Sequence, residues 1–359
     1  MRIRSALDSS LRTIFGLCIV GVVGCSSPPA ETSAAPDTFS PPPAQPDTQG
    51  ASQRPPASKD TSVTLRPDSG PPPERMVPPP TVLRGPARIM AMGDVHGDLN
   101  ATKAALRLAG AIDANDQWIG GDLIVVQVGD QLDRGDGEEA ILKFLDQLAE
   151  AAHQAGGGVF PLVGNHETMN VDLNLSYVTE GGYEDFADVP FDPRDPIFTN
   201  FLPHQYGRVA AFRPGGPFAM LLAKHNTVMV IDGTVFVHGG VLPEHVAYGL
   251  DAINRETQAW MRGETPRPAI SQGSNSLVWS RHYSSSPDLS DCMLLEEVLD
   301  ALGARRMVVA HTVQPAGISD ACQGRVWRVD VGLASYYGGT SSVLSIVGDD
   351  VQVIVASEP

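Results

Sequence analysis

The chain has 359 residues, 42 Asp plus Glu against 25 Lys plus Arg, and a formal net charge of −17. With no dense basic patch, this balance excludes nucleic acid as a partner, since phosphate-backbone binding needs clustered cations; it also means that any phosphate pocket must carry its own local cations. The length admits two domains, but 30 prolines, many of them ahead of residue 87, favour one large domain behind a tail.

Residues 1–25 read as an export signal. Arg2, Arg4 and Arg12 give a basic start, weakened by Asp8, and Ile14 to Val23 is an apolar run too short to span a bilayer. The run ends in Val22-Val23-Gly24-Cys25-Ser26-Ser27, which resembles a bacterial lipobox. That resemblance implies cleavage before Cys25, a lipid on Cys25, and a bacterial cell-envelope location. Ser26 in place of Asp then favours the outer membrane. A plain signal peptide, or a cytosolic chain with an apolar start, is the blander alternative. Residues 26–86 are rich in Pro, Ser, Thr and Ala and bury too little apolar surface to offset ordering entropy, so a disordered tether is expected. The catalytic domain is expected over 87–359.

Arg88 to Met92 reads as a buried strand that runs into Gly93-Asp94-Val95-His96-Gly97, followed by a helix carrying Leu99, Ala105, Leu106 and Leu108 on its inner face. Leu123 to Val128 is a second strand, leading into Gly129-Asp130-Gln131-Leu132-Asp133-Arg134-Gly135, with a helix from about Glu138 to His153. Val159 to Val163 is a third, delivering Gly164-Asn165-His166-Glu167. This β-α-β-α-β series places each polar motif just past a strand, where open α/β sheets put their ligand sites. Residues 168–225 lose periodicity and read as an insertion of short helices and loops that walls the site. Strands return at Thr227–Ile231 and Thr234–Val237 around an Asp232-Gly233 hairpin signal, and the second ends in His238-Gly239-Gly240. Helices near Leu250–Met261 and Asp291–Leu302 follow. Next come a strand at Arg306–Ala310 ending in His311-Thr312 and strands at Arg325–Val329, Ser342–Val347 and Gln352–Val355.

Asp94, His96, Asp130, Asn165, His238 and His311 form an oxygen-and-nitrogen donor set at strand ends. Mixed imidazole and carboxylate ligation suits Mn, Fe or Zn. A paired site can hold a hydroxide between two ions and a phosphoryl group in line for attack. His166 is then the natural general acid, Asp133 could orient its ring, and Arg134 would clamp phosphate oxygens. His153, His204, His225, His245 and His282 read as structural or surface residues.

The three motifs resemble those of the calcineurin-like metallophosphoesterases of the phosphoprotein phosphatase family, and His238-Gly239-Gly240 and His311-Thr312-Val313-Gln314 fit the two remaining family ligands. The resemblance implies a four-layer α/β/β/α sandwich with a dinuclear site. One metal would be held by Asp94, His96 and Asp130, the other by Asp130, Asn165, His238 and His311. Residues 166–170, Leu175-Ser176-Tyr177-Val178, Asp330-Val331-Gly332 and Tyr337-Gly338-Gly339 are similar to the Shewanella-like branch. Ser176 stands where that branch has Arg, and Val278-Trp279-Ser280-Arg281 replaces its Trp-Tyr-Arg, so Arg281 is a second candidate phosphate clamp. The implied activity is hydrolysis of phosphomonoesters on Ser, Thr or Tyr of proteins or peptides, with no covalent intermediate. Two rivals stand beside it: a small-molecule phosphoesterase acting, for example, on dinucleoside polyphosphates, and a non-catalytic surface lipoprotein. Cys292 and Cys322 could form a disulfide or remain separate thiols.

Overall fold

The computed structural model describes residues 78–84 and 88–356. The signal, lipid-attachment and most of the tether readings, Cys25 among them, lie outside the described residues. In chain order the strands and helices are β1 (Val82–Leu83), β2 (Ile89–Met92), α1 (Leu99–Leu108), β3 (Ile124–Gln127), α2 (Glu138–Gln154), β4 (Gly158–Pro161), α3 (Asn165–Val171) and α4 (Glu180–Glu184). They continue with α5 (Tyr206–Phe212), α6 (Pro217–Leu222), β5 (Val228–Ile231), β6 (Thr234–Val237), α7 (Pro243–Tyr248), α8 (Leu250–Met261) and α9 (Leu289–Leu302). Four strands close the series: β7 (Arg306–Val309), β8 (Ser319–Ala321), β9 (Val326–Arg328) and β10 (Ser342–Val347), with β11 (Asp350–Val355) pairing back on β10.

The strands form two sheets, ordered β1-β5-β6-β7-β9-β8 and β11-β10-β2-β3-β4. Side chains alternate across each strand, and this alternation builds the layers. Ile89, Ala91, Ile124 and Val126 face Met229, Ile231, Phe236 and Val308 between the sheets. Met90, Met92 and Val125 point the other way, onto Leu106 of α1 and Ile141, Leu145 and Leu148 of α2. Behind the second sheet, Val228, Val235 and Met307 pack on Ile253 of α8 and on Leu295, Val298 and Leu299 of α9. The order is therefore helices, sheet, sheet, helices. Strands covered on both faces read as unbroken apolar runs, which is why β2, β3 and β7 stand out in the sequence.

The helix ends are set by local chemistry. Asp98 caps α1 by accepting from Ala101 N at 2.9 Å. Asp288 and Asp291 cap α9 reciprocally, starting it two residues before the sequence expectation, and Gly303 at φ 61° ends it in the left-handed conformation.

The tether boundary at residue 86 needs correction. Thr81 to Leu83 belongs to the domain: β1 pairs in parallel with β5, and the Thr81 hydroxyl accepts from Asn254 Nδ2 at 3.1 Å and donates to Asp251 Oδ1 at 3.0 Å. The run of prolines at 78–80 hides so short a strand. β8 is three residues without apolar alternation and carries no periodic signal. Within 168–225, Phe186, Phe212, Phe218 and Leu222 form a core with Leu132, Leu142 and Val163, directly beneath the motif loops.

Cys292 and Cys322 form a disulfide that ties α9 to the β8–β9 hairpin across 30 residues of sequence. Cross-linking a loop of that length removes denatured-state entropy worth about 3–4 kcal/mol. Cys292→Ser should lower unfolding stability by about that amount, and dithiothreitol should do the same to the parent protein but not to the variant. Equal denaturation midpoints for parent and variant would show that the bond contributes nothing.

Candidate metal centre

The C-terminal ends of β2, β3 and β4 in one sheet and of β6 and β7 in the other deliver the polar motifs to one place. His96, Asp130, Asp133, Arg134 and His311 all sit at positive φ, between 38° and 69°. Non-glycine residues held there cost about 1–3 kcal/mol each and persist where surrounding bonds over-determine them. Glu167 does so for the Asp130 loop: its carboxylate accepts from Asp130 N (2.9 Å), Gln131 N (2.8 Å), Leu132 N (3.2 Å) and Gly164 N (2.7 Å). Gly164 is required in turn, since a Cβ there would lie 2.1 Å from Asp130 Oδ1. Asp130 Oδ1 accepts from His166 N at 3.0 Å.

Asp130 Oδ2 is the point of convergence. His238 Nε2 lies 3.1 Å from it, and the Nε2 atoms of His96 and His166 lie 3.9 Å away. His96 Nδ1 donates to Leu132 O and His238 Nδ1 to Val128 O, both at 2.9 Å. Because a carbonyl can only accept, each ring presents Nε2 to the site, the arrangement that fixes metal-ligating imidazoles. His238 Nε2 also faces Asn165 Oδ1 at 2.9 Å, so the lone pair on that nitrogen would meet two oxygens unless a proton or cation lay between them. Asp94 Oδ2 lies 3.8 Å from His96 Nε2, while Asp94 Oδ1 and His311 Nε2 are buried with no hydrogen-bond partner.

The electrostatics agree with a cation site. Burial, then Asp330 and Asp130, raises the Asp94 carboxyl well above its ordinary value. Burial likewise pushes Asp330 up to about 6. Burial lowers His96 to about 3 and also lowers His311, keeping both imidazoles neutral and able to donate a lone pair. Burial works against charge on Asp130 too, but His238 and His166 overcome it and hold its pKa well below the usual range. Buried carboxylates crowded together, orphaned donor atoms and neutral imidazoles fit divalent cations.

The structure thus brings together Asp94, His96, Asp130, Asn165, His166, His238 and His311. By distance, the nitrogen and carboxylate donors fall into two groups sharing Asp130: one with His238 and His311, the other with His96 and His166. His166 differs from the rest in that its Nδ1 meets Asp133 Oδ2 at 2.5 Å. Burial opposes its protonation, but Asp130 and Asp133 outweigh it and raise its pKa, so the ring is a proton carrier in character.

Arg134 lies among three tyrosines, 4.9 Å from the Tyr177 ring centroid, 5.6 Å from Tyr336 and 5.3 Å from Tyr337. Arg281 donates to His311 O (3.1 Å) and Thr312 Oγ1 (2.7 Å), bracing the His311 loop at the rim. Three of the remaining histidines have partners elsewhere: His245 Nδ1 accepts from Leu242 N (2.9 Å), His282 meets Asp291 (2.7 Å), and His204 meets Tyr183 edge to face.

Residues that sequence reasoning left without a role are Glu167, Asp330, Asn170, Glu138 and Arg208. Glu167 and Asp330 lie in the motif segments quoted above. Arg208 carried a signal that was not used: a lone charge entering the apolar run Val209-Ala210-Ala211-Phe212.

The calcineurin-like phosphoesterase family model matches residues 87–315. Shewanella-like protein phosphatase 2 of Arabidopsis thaliana is 40% identical over 312 residues, covering 78% of this chain and 80% of that protein. Shewanella-like protein phosphatase 1 of Plasmodium berghei is 28% identical over 69% of this chain and 68% of its own length. Among solved structures, the cold-active protein-tyrosine phosphatase of a psychrophilic Shewanella species superposes with a TM-score of 0.63 at 23% identity, covering 78% of this chain and 83% of that one. A serine/threonine phosphatase of Saccharomyces cerevisiae gives 0.53 at 15% identity, covering 79% and 86%. At those identities the structures speak for the fold, and they agree with the layering described above. With the family match over most of the domain and the 40% identical relative, the chain belongs to the calcineurin-like phosphoesterases, in their Shewanella-like protein phosphatase branch.

Proposed function

We propose that this protein is a metal-dependent phosphatase that hydrolyses phosphomonoesters on proteins or peptides. The observation that carries the reading is the Asp133–His166 pair: an imidazole gripped at 2.5 Å by a buried carboxylate, its other nitrogen turned toward the point where the ligand donors converge. Asp94, His96 and Asp130 would hold one divalent ion of the Mn, Fe or Zn type, and Asp130, Asn165, His238 and His311 the other. When bound, such a pair activates water and neutralises phosphoryl charge.

The remaining work falls to the chain's own side chains. Arg134, with Arg281 at the rim, provides the local positive charge that a phosphate needs on a chain of net charge −17. His166 donates the Nε2 proton to the leaving oxygen as the P–O bond breaks. Asp133, bonded to Nδ1, holds the ring in orientation and stabilises its charged form. The tyrosines around Arg134 form an aromatic rim suited to a phosphotyrosyl ring, and this supports phosphotyrosine ahead of phosphoserine or phosphothreonine. The named function of the 40% identical relative and the completeness of the donor set weigh against the small-molecule and non-catalytic alternatives.

Outside the described residues, we keep the lipid-anchored reading of Cys25 and a bacterial-envelope location. Its supports are the apolar run before that cysteine and the Cys292–Cys322 disulfide, a bond typical of oxidising compartments.

Metal-stripped protein should show no turnover of phosphotyrosine and phosphothreonine peptides and regain it with Mn, Fe or Zn. Asp130→Asn should fail to regain it and bind fewer ions by metal analysis. Activity surviving chelation would sink the metal reading, while turnover of a dinucleoside polyphosphate alone would move the substrate class. The pH profile tests the dyad separately. The acid must be protonated, so the rate falls as pH rises through the His166 pKa, which Asp133 raises. Asp133→Asn should therefore shift the alkaline limb to lower pH, and an unmoved limb would remove Asp133 from the mechanism. Finally, Cys25→Ser should release the protein from the membrane fraction of its host; an unchanged distribution argues against the anchor.

A further inference from the structure

We propose that Arg208, on α5, is a positioning residue for the reaction, locking Asp133 so that His166 is held with Nε2 toward the phosphoester. The inference rests on the reading of His166 as the general acid. Arg208, Asp133 and Glu138 are all fully buried, so water cannot replace any of their bonds. A guanidinium has five N–H donors, and here every one is used. Nε donates to Asn170 Oδ1 (2.9 Å), Nη1 to Glu138 Oε2 and Gly182 O (2.8 Å), and Nη2 to Asp133 Oδ1 and Glu138 Oε1 (both 3.1 Å). The Phe186 and Phe212 ring centroids lie 5.1 and 5.0 Å from the guanidinium carbon.

The fork decides how Asp133 is oriented. Arg208 and Asn170 Nδ2 (3.1 Å) occupy Asp133 Oδ1, which leaves Oδ2 to His166 Nδ1. By engaging Asn170 Oδ1, Arg208 also fixes the amide so that its nitrogen faces Asp133 Oδ1 and His166 O, the latter at 2.9 Å. Glu138, held by two guanidinium nitrogens, accepts from Asp133 N and so steadies the left-handed backbone at that residue. Lysine keeps the charge but is a point donor, unable to reach these four partners in one plane.

A residue that only braces the fold would slow every substrate alike. A residue acting through the acid should matter only where the leaving group needs a proton. We expect Arg208→Lys to lower kcat/KM on a phosphoserine peptide about 10²-fold, the low end of general-acid contributions, and on p-nitrophenyl phosphate less than about 3-fold. In an Asp133→Asn background the same substitution should add less than about 2-fold, because both act through one ring. Should Arg208→Lys not fold, the Glu138→Gln/Arg208→Gln pair, which removes one charge of each sign, carries the same comparison. Uniform loss on both substrates, no loss on either, or full additivity with Asp133→Asn would overturn the role of Arg208. A His166→Asn control separates the two levels. If it slows both substrates equally, the acid reading falls and this inference with it. If it discriminates while Arg208→Lys does not, only the Arg208 assignment is lost.

Discussion

The structure depends on one costly arrangement: Asp94, Asp130 and Asp330 buried together at the mouth of two sheets, with four imidazoles close by. Removing a carboxylate from water costs several kcal/mol unless hydrogen bonds or an opposite charge replace the lost solvation. Asp130 is compensated by the His166 N–H and by the His238 and His166 rings, which lower its pKa. Asp94 has the His96 ring no nearer than 3.8 Å and Asp330 the Gly332 N–H at 2.9 Å, and burial drives both upward. That imbalance within one cluster points to cations as its natural complement, and it suits His96, a neutral imidazole whose Nδ1 is fixed on a carbonyl.

Holding such a cluster requires a rigid frame, and the layering provides it. The motif loops leave adjacent strands of two sheets that share one apolar core, so donors from β2, β3, β6 and β7 meet without any long loop. The loops themselves carry residues at positive φ, whose strain is held by Glu167 on one side and by Glu138 and Arg208 on the other. In each brace a carboxylate, Glu167 or Glu138, accepts backbone N–H groups through bonds that are short-range, directional and shielded from water. In the proposed mechanism, preorganisation of this kind would keep the metal ligands and His166 in place before substrate arrives.

Much of this was legible in the sequence, for physical reasons. Strands covered on both faces show as apolar runs, and the glycine-flanked motifs after them mark where the backbone must turn sharply. Asp94, His96, Asp130, Asn165, His166 and His238 were found this way and His311 from its strand end alone, and the structure brings them together. The elements that escaped are those whose formation depends on tertiary contact. β1 is two residues emerging from prolines and exists only because β5 offers an edge and Asn254 a partner for Thr81. β8 is held by its hairpin with β9. Arg208 was missed because its meaning lies in partners 26 to 75 residues away in sequence. A buried charge has no periodic signature of its own; its one visible trace was its place beside an apolar run.

The charge balance around Arg208 ties the aperiodic segment 168–225 to the motif loops. Asp133 and Glu138 are two buried carboxylates belonging to the motif region, and the site needs Asp133 ionised to hold His166. The β-α-β frame offers no buried cation to offset them, since Arg134 is turned to the tyrosine rim. Arg208 supplies it: burial works against its charge, but Glu138 and Asp133 overcome this and raise its pKa. Arg208 thus faces both carboxylates at once, while burial still pushes Glu138 up to about 7. The phenylalanines that surround the guanidinium, Phe186 and Phe212, also anchor α5 against Leu132 and Val163. The same packing that buries the segment's apolar surface thus places the cation. The segment is bound to the site by electrostatic necessity as well as by packing.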